Sequence, residues 1–384
     1  MAFSRFVIEH EGYLINTVTL TRLPKDAPDT ELQRHYFLEG QETDAIHHVI
    51  LSKPNRLTLQ VIPTWECNLR CLHCFSHRRL SKGSIPIDID RTVSFINRYA
   101  AYYEGIKRLN INFLGGEPTL QSNHNAKLID AIKNGTSIPN TKFTAASNLV
   151  KDLDDDDIEF IRRLTVLQIS LDGPERSHNA QRLSSRYNNP HSRTLANIKK
   201  LVDAGLKNFQ VAAAININTA TKTDKVEFYR DLLSIGVSFN NIAYGHHFPS
   251  NVSTEAVNGR NIITMPGPCC VFQHMKWFSV ENGDKLVANL YHGTGELGIL
   301  DTPIEEVERR HKEFILATMP ILNDPVCSKC PVLGQCWGGC IASHYSESPS
   351  KWCNQATYGE AEGLQQYIIK NINTWLRSDH GCNS

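Results

Sequence analysis

The chain predicts an α/β fold built around a parallel sheet, and three observations carry that expectation. Short apolar, β-rich runs alternate with amphipathic helical stretches about six times over residues 57–247. The runs lead into polar or glycine-containing turns. Residues 75–268 hold no cysteine, whereas three stand at 67–74 and eight from Cys269 onward.

The elements follow in order. Run 57–62 enters a cysteine loop, and run 109–114 leads into Gly115-Gly116-Glu117-Pro118. Run 142–147 is followed by Asn148, and run 166–171 by Asp172-Gly173. Runs 209–217 and 240–244 supply a fifth and a sixth strand, and 88–104, 124–134, 154–164, 192–205 and 224–235 read as helices. A strand–helix alternation of this kind gives a sheet that is either open or curled toward a barrel. In both cases ligands collect at the carboxyl ends of the strands, where all four turn motifs fall.

Composition narrows the function. With 384 residues there is room for one large domain and a smaller one, and 41% hydrophobic residues suffice for a substantial core. Lys+Arg and Asp+Glu balance at 40 each, so neither nucleic acid nor a membrane surface is expected as partner. No apolar run is long enough to span a bilayer, and Met1-Ala2-Phe3-Ser4-Arg5 does not open a signal peptide; a cytoplasmic protein is expected. Eleven cysteines in a reducing compartment point to metal or redox work.

Cys67, Cys71 and Cys74 stand in a C-x3-C-x2-C loop. Three thiolates so spaced can hold three corners of a cuboidal iron–sulfur cluster and leave the fourth iron open to a substrate or cofactor. The later motifs are weaker alone. Read alone, Gly115-Gly116 fits an ordinary turn as well as a ligand site, and Ser170-Leu171-Asp172-Gly173 fits a helix cap and turn better than one. Asp154 to Asp157 reads as a helix N-terminus favoured by the macrodipole rather than a metal site. Gly245-His246-His247 follows the sixth strand and would face the pocket mouth of a barrel.

With the cysteine loop and Gly-Gly-Glu-Pro in this order, the chain resembles the radical S-adenosylmethionine (SAM) superfamily over roughly residues 57–247. The resemblance implies a partial (β/α)6 TIM-like barrel. It also implies a [4Fe-4S] cluster on Cys67, Cys71 and Cys74 whose open iron is chelated by SAM, and cleavage of SAM to a 5′-deoxyadenosyl radical. It places His73 at the adenine, Gly116 and Glu117 at the SAM amino group, Ser170 at the ribose or carboxylate, and Arg182 at the carboxylate. Ser147 and Asn148 resemble the third-strand polar pair; Asp172 is expected to hold its loop rather than touch SAM.

The tail reads Cys327-x2-Cys330-x5-Cys336-x3-Cys340-x12-Cys353, similar to the SPASM extension of peptide-modifying members, which carries auxiliary [4Fe-4S] clusters. That similarity implies an outer cluster on Cys327, Cys330, Cys336 and Cys353, with Cys340 crossing to an inner one that Cys269 and Cys270 help to hold. The family's further inner cysteine would fall five residues after Gly283, at Ala288. We therefore expect an inner cluster with an incomplete ligand set; completion by Cys269 or Cys382, or no inner cluster, are the alternatives. Sulfatase-maturing members carry Cys-Asp where this chain has Ala288-Asn289, which lowers the formylglycine reading.

The expected division is residues 1–56, an N-terminal extension that contributes to peptide recognition or is structural, 57–250, the radical SAM core, and 251–384, the SPASM-like domain. The first contains strand-like Phe6-Val7-Ile8 and Tyr13-Leu14-Ile15 and a helix from Asp29. The function expected is oxidative modification of a ribosomally made precursor peptide, fed by a reductase, flavodoxin or ferredoxin. Formylglycine formation, or oxidation of a small molecule, is the alternative.

Overall fold

A computed structural model describes residues 2–19, 21–72, 74, 76, 79–80, 85–216, 222–248, 275–288, 295–317, 325 and 327–331. The chain divides into two compact units: 1–55 with 258–276 and 308–384, and 56–257 with 277–307.

In the first unit, strands β1 (Val7–His10) and β2 (Tyr13–Asn16) pair antiparallel across Glu11-Gly12. Both turn residues have positive φ, 50° and 82°, the geometry of a two-residue hairpin turn whose twist matches its strands. Strand β3 (Arg22–Pro24) pairs with β2. Helix α1 (Asp29–Arg34) starts behind Pro28 with Asp29 and Glu31 in its first turn, where the macrodipole favours anions, and α2 spans Glu42–Leu51. Leu14, Leu32 and Phe37 form the core under the hairpin. The Thr17 hydroxyl donates to the Pro331 carbonyl at 2.8 Å and Arg5 Nη1 to the Ser328 carbonyl at 2.9 Å. The segment beside Cys327 and Cys330 is thus tied to the N-terminal residues. Strands within 277–299 pair into the main sheet, and residues 1–55 group with 308–384.

The second unit starts with β4 (Arg56–Ile62), buried along nearly its whole length as a central parallel strand must be. Then come β5 (Arg70–Cys71), α3 (Ile89–Tyr102), β6 (Arg108–Phe113), a 3₁₀ turn (Pro118–Gln121), α4 (Ser122–Gly135) and β7 (Asn140–Ser147). Next are α5 (Asp155–Arg163), β8 (Val166–Ser170), α6 (Glu175–Gln181), β9 (Arg182–Leu183), α7 (Pro190–Asp203) and β10 (Phe209–Asn216). The series ends with α8 (Lys222–Ser234), β11 (Ile242–Phe248), β12 (Met275–Glu281), β13 (Lys285–Val287) and β14 (Glu296–Ile299); α9 (Ile304–Leu316) follows, and its residues from Glu308 onward, like Met275 and Lys276 of β12, count with the first unit.

The sheet order is β11-β10-β8-β7-β6-β4-β12-β13-β14. Pairings β4–β6, β6–β7, β7–β8, β8–β10 and β10–β11 are parallel, while β12–β13 and β13–β14 are antiparallel. The six parallel strands are those the alternation predicts. They do not close on one another: β12 lines the free edge of β4, and the sheet ends at β11 and β14. Helices α3, α5 and α7 begin on side-chain caps from Asp88, Asp154 and Asn189. Phe113 and Phe160 meet edge to face at 5.3 Å between sheet and helix, and Tyr99 meets Phe278 at 5.5 Å under β12. Among the described residues no helix is long and apolar enough to cross a membrane.

Candidate cluster and cofactor site

The loop after β4 returns as β5, which pairs antiparallel with β9, placing Cys71 opposite Arg182. Cys74 N–H donates to the Cys71 carbonyl at 3.1 Å, so the last two cysteines share one tight turn. Cys67, Cys71 and Cys74 are all half-buried. Burial pushes the Cys67 thiol up to about 12, with the Glu117 carboxylate, Cys71 and Cys74 adding to it. Burial pushes Cys71 up to about 11 against the pull of Arg182, and raises Cys74 as well. Three thiols that oppose one another's ionisation form a donor set suited to cationic irons. Among the described residues no three His, Cys, Asp or Glu groups converge on a single ion; a cuboidal cluster spreads its thiolates over three irons and requires no such convergence.

Several donors face these sulfurs. Leu69 N–H (3.5 Å) and Asn148 Nδ2 (3.8 Å) reach Cys67 Sγ, and Arg182 Nη1 reaches Cys71 Sγ at 3.7 Å. Asn68 Nδ2 is buried without a hydrogen-bond partner among the described residues, beside Cys67 in the same loop. A cluster sulfide would supply its missing acceptor. The cysteine loop therefore fits a [4Fe-4S] group in both ligand set and surrounding donors.

Gly115-Gly116-Glu117 passes directly over the backbone of Thr64 to Glu66. Gly116 N–H donates to the Thr64 carbonyl at 3.0 Å and Glu117 N–H to the Glu66 carbonyl at 2.8 Å. A Cβ on Gly116 would lie 1.9 Å from the Glu66 oxygen. Gly115 has φ +115°, and its Cβ would lie 2.7 Å from the Thr64 oxygen. Both glycines are thus required by a backbone approach one residue ahead of the first cysteine.

Glu117 is 1% exposed. Its Oε1 accepts from Thr119 N–H (3.1 Å), Thr119 Oγ1 (2.8 Å) and Ser147 Oγ (2.7 Å), and its Oε2 from Asn148 N–H (2.8 Å). Burial pushes the Glu117 carboxyl up against these four bonds, which favour the carboxylate. Oε2 accepts a single one of them and keeps capacity for a cationic donor such as an ammonium.

Ser147 and Asn148, at the end of β7, therefore hold Glu117 and reach the cluster loop. Ser170 ends β8, paired in register with Ala212. Arg182 is buried and paired to Asp172 through Nε (2.6 Å) and Nη2 (3.0 Å). Cys330 is half-buried just after a 3₁₀ turn over Cys327–Lys329. His73, Cys269, Cys270, Cys336, Cys340, Cys353 and Cys382 lie outside the described residues. Ala288 is buried, with its N–H donating to the Gly295 carbonyl at 2.7 Å.

Sequence reading missed a brace behind the loop. Glu281, buried at the end of β12, accepts from Trp65 Nε1 (3.2 Å) and from Arg79 Nη2 (2.6 Å). The Arg79 guanidinium also lies 4.2 Å from the Trp65 ring centre. No local pattern links positions 65, 79 and 281, which meet only through tertiary pairing.

A family model described as the radical SAM superfamily matches residues 61–232. A cysteine-type anaerobic sulfatase-maturating enzyme of Clostridium novyi (strain NT) is 26% identical over 169 residues, covering 42% of this chain and 44% of that enzyme. The chain thus spans under half the length of that curated relative. Among solved structures, anSMEcpe with bound AdoMet superposes with TM-score 0.60 at 16% identity, covering 84% of this chain and 100% of that one. SuiB of Streptococcus suis bound to precursor peptide SuiA superposes with TM-score 0.52 at 14% identity, covering 91% and 97%. Residues 61–232 of this chain form a radical SAM superfamily domain.

Proposed function

We propose that the chain is a radical SAM oxidoreductase that oxidatively modifies a ribosomally made precursor peptide, forming a side-chain crosslink of cyclophane or thioether type. The observation that carries this reading is the buried Glu117 carboxylate, held by Ser147 and Asn148 and joined through Asn148 to the cysteine loop. It sets an ammonium acceptor beside a three-thiolate cluster site. When bound, the cluster and SAM supply one-electron reductive cleavage to methionine and a 5′-deoxyadenosyl radical that takes a substrate hydrogen.

The chain's own residues bind and orient. Cys67, Cys71 and Cys74 hold three irons. Glu117 Oε2 and the Gly116 backbone would receive the SAM amino group, and Ser170 would meet its ribose or carboxylate. His73, outside the described residues, would contribute backbone to the adenine. The C-terminal cysteines would hold auxiliary clusters able to take the second electron, with a reductase, flavodoxin or ferredoxin supplying the first. SuiB and anSMEcpe, which share this fold, are described with bound peptides, which favours a peptide substrate here.

The 26% identity to a sulfatase-maturating enzyme favours formylglycine formation as a second reading. Against it, a buried alanine stands at 288 and Asn289 follows it, with no acidic side chain at either position.

The test is anaerobic reconstitution with dithionite and SAM. The reading expects 5′-deoxyadenosine, and loss of two hydrogens per event from a precursor peptide encoded beside the enzyme. Absence of 5′-deoxyadenosine sinks both readings. An aldehyde formed on a sulfatase-derived cysteine peptide, without change in the precursor, selects the second.

A further inference from the structure

The Arg182 guanidinium is engaged on all three nitrogens. Nε and Nη2 donate to the two oxygens of Asp172 at 2.6 and 3.0 Å, and Nη1 donates to Cys71 Sγ at 3.7 Å. Asp172 is fully buried and Arg182 nearly so. The backbone enforces this placement: Cys71 and Arg182 are register partners in β5–β9, and Leu72 N–H donates to the Gln181 carbonyl at 2.9 Å. Behind the pair, Asp172 N–H donates to His178 Nδ1 at 3.1 Å, fixing the loop that carries the carboxylate.

The donors onto Cys67, Leu69 N–H and the Asn148 amide, are neutral. Arg182 is a full cation, shielded from water and aimed at a ligand sulfur. Hydrogen bonds to cluster sulfurs, together with local net charge, set the reduction potential of such a cluster. A cation at the sulfur stabilises the reduced form more than the oxidised form, and burial strengthens that difference. Asp172 lies one guanidinium further out and opposes it.

We infer that Arg182 and Asp172 are a paired charge device that sets the reduction potential of the cluster on Cys67, Cys71 and Cys74. Arg182 acts through the Cys71 thiolate as a positioning residue. The inference rests on the cluster reading above and moves Arg182 from the SAM carboxylate to the cluster. In the step concerned, one electron from dithionite reduces the cluster, and neither Arg182 nor Asp172 gains or loses a proton.

The experiment is an EPR-monitored redox titration of the anaerobically reconstituted full chain without SAM. The cluster signal is assigned by its loss in the Cys67/Cys71/Cys74→Ala triple variant. Arg182→Gln is expected to make reduction at least tenfold less favourable, about 59 mV lower for a one-electron couple. Asp172→Asn is expected to move the potential in the opposite direction. Because Arg182→Gln leaves a buried carboxylate unpaired and can fail to fold, the Asp172→Asn/Arg182→Gln double variant serves as its partner. Its potential should fall well below that of Asp172→Asn.

Shifts of opposite sign support the inference, since a purely structural defect has no reason to reverse with the sign of the charge removed. Shifts under twofold, or of the same sign, overturn it. An unchanged potential with weakened binding of labelled SAM overturns it in favour of a carboxylate contact. A wild-type protein with no signal that depends on the three cysteines overturns the cluster reading itself, a result distinct from all the others.

Discussion

Asn148 donates its backbone N–H to Glu117 Oε2 at 2.8 Å and points its side-chain amide at Cys67 Sγ, 3.8 Å away. One residue at the end of β7 thus links the carboxylate that would receive a ligand cation to the first cysteine of the cluster loop. The same amide donates to Asn68 Oδ1 at 2.8 Å, and Thr194 Oγ1 donates to the Asn148 carbonyl at 2.9 Å. Neither end of the link is free to drift.

Glu117→Gln should retain iron and weaken SAM binding at least tenfold, because it removes the anion but keeps the shape. Glu117→Ala should also destabilise the fold by about 2–4 kcal/mol, since it strands buried backbone N–H groups of Thr119 and Asn148. Iron content, equilibrium dialysis of labelled SAM and denaturant unfolding separate the two variants. Iron loss from Glu117→Gln would make Glu117 a structural residue.

Gly116→Ala should fail at the backbone. Its Cβ would meet the Glu66 carbonyl oxygen at 1.9 Å and the Glu66 carbonyl carbon at 2.5 Å, and no side chain can move aside to relieve either contact. We expect a loss of about 3 kcal/mol or more, with a reduced iron yield after reconstitution. Gly205→Ala, with nothing within 4 Å but a φ of +72°, should cost only the backbone strain of a left-handed alanine, about 1 kcal/mol, and leave the iron yield unchanged.

Glu281→Gln should loosen the brace behind the cluster loop. The carboxylate is 1% exposed and Arg79 19%, so the pair is only partly screened, and its loss should cost about 2–3 kcal/mol. Trp65 fluorescence should shift to the red as the Nε1 contact weakens and water reaches the ring. An unshifted spectrum with unchanged stability would mean that the brace carries no load.

Asp154 caps α5 in a reciprocal box with Asp157. Burial pushes its carboxyl up, but the Asp157 N–H and Lys151 together outweigh it and hold Asp154 below the ordinary aspartate range. A depressed folded-state pKa contributes stability above the unfolded value of about 4 and loses it as pH falls through the folded value. Asp154→Ala should therefore cost about 1 kcal/mol at neutral pH, and the gap to wild type should close below about pH 4. Thermal unfolding across pH 3–7 measures it; a gap that is constant with pH would exclude the charged cap.

Iron analysis addresses the tail. With Cys67, Cys71 and Cys74 all changed to Ala, about eight irons should remain if both auxiliary clusters form despite Ala288, and about four if only the outer one does. We expect about eight.

Periodicity alone determined the six parallel strands and the helices from α3 to α8 apart from α6, because each is a local run of one residue pattern. C-x3-C-x2-C and Gly-Gly-Glu-Pro were legible for the same reason: their chemistry lies in adjacent residues. Ser147, Asn148 and Arg182 could be named from their distance along the chain to these motifs, but what each touches could not. The Arg182 contact with Cys71 depends on β5–β9, two-residue strands too short to leave a sequence pattern. The Glu281 brace joins residues 216 positions apart through a strand that covers the edge of β4. Local sequence set which residues form strands and which carry sulfur. Only the tertiary structure decided which buried charges face that sulfur, because long-range pairing and burial arise when the chain closes on itself.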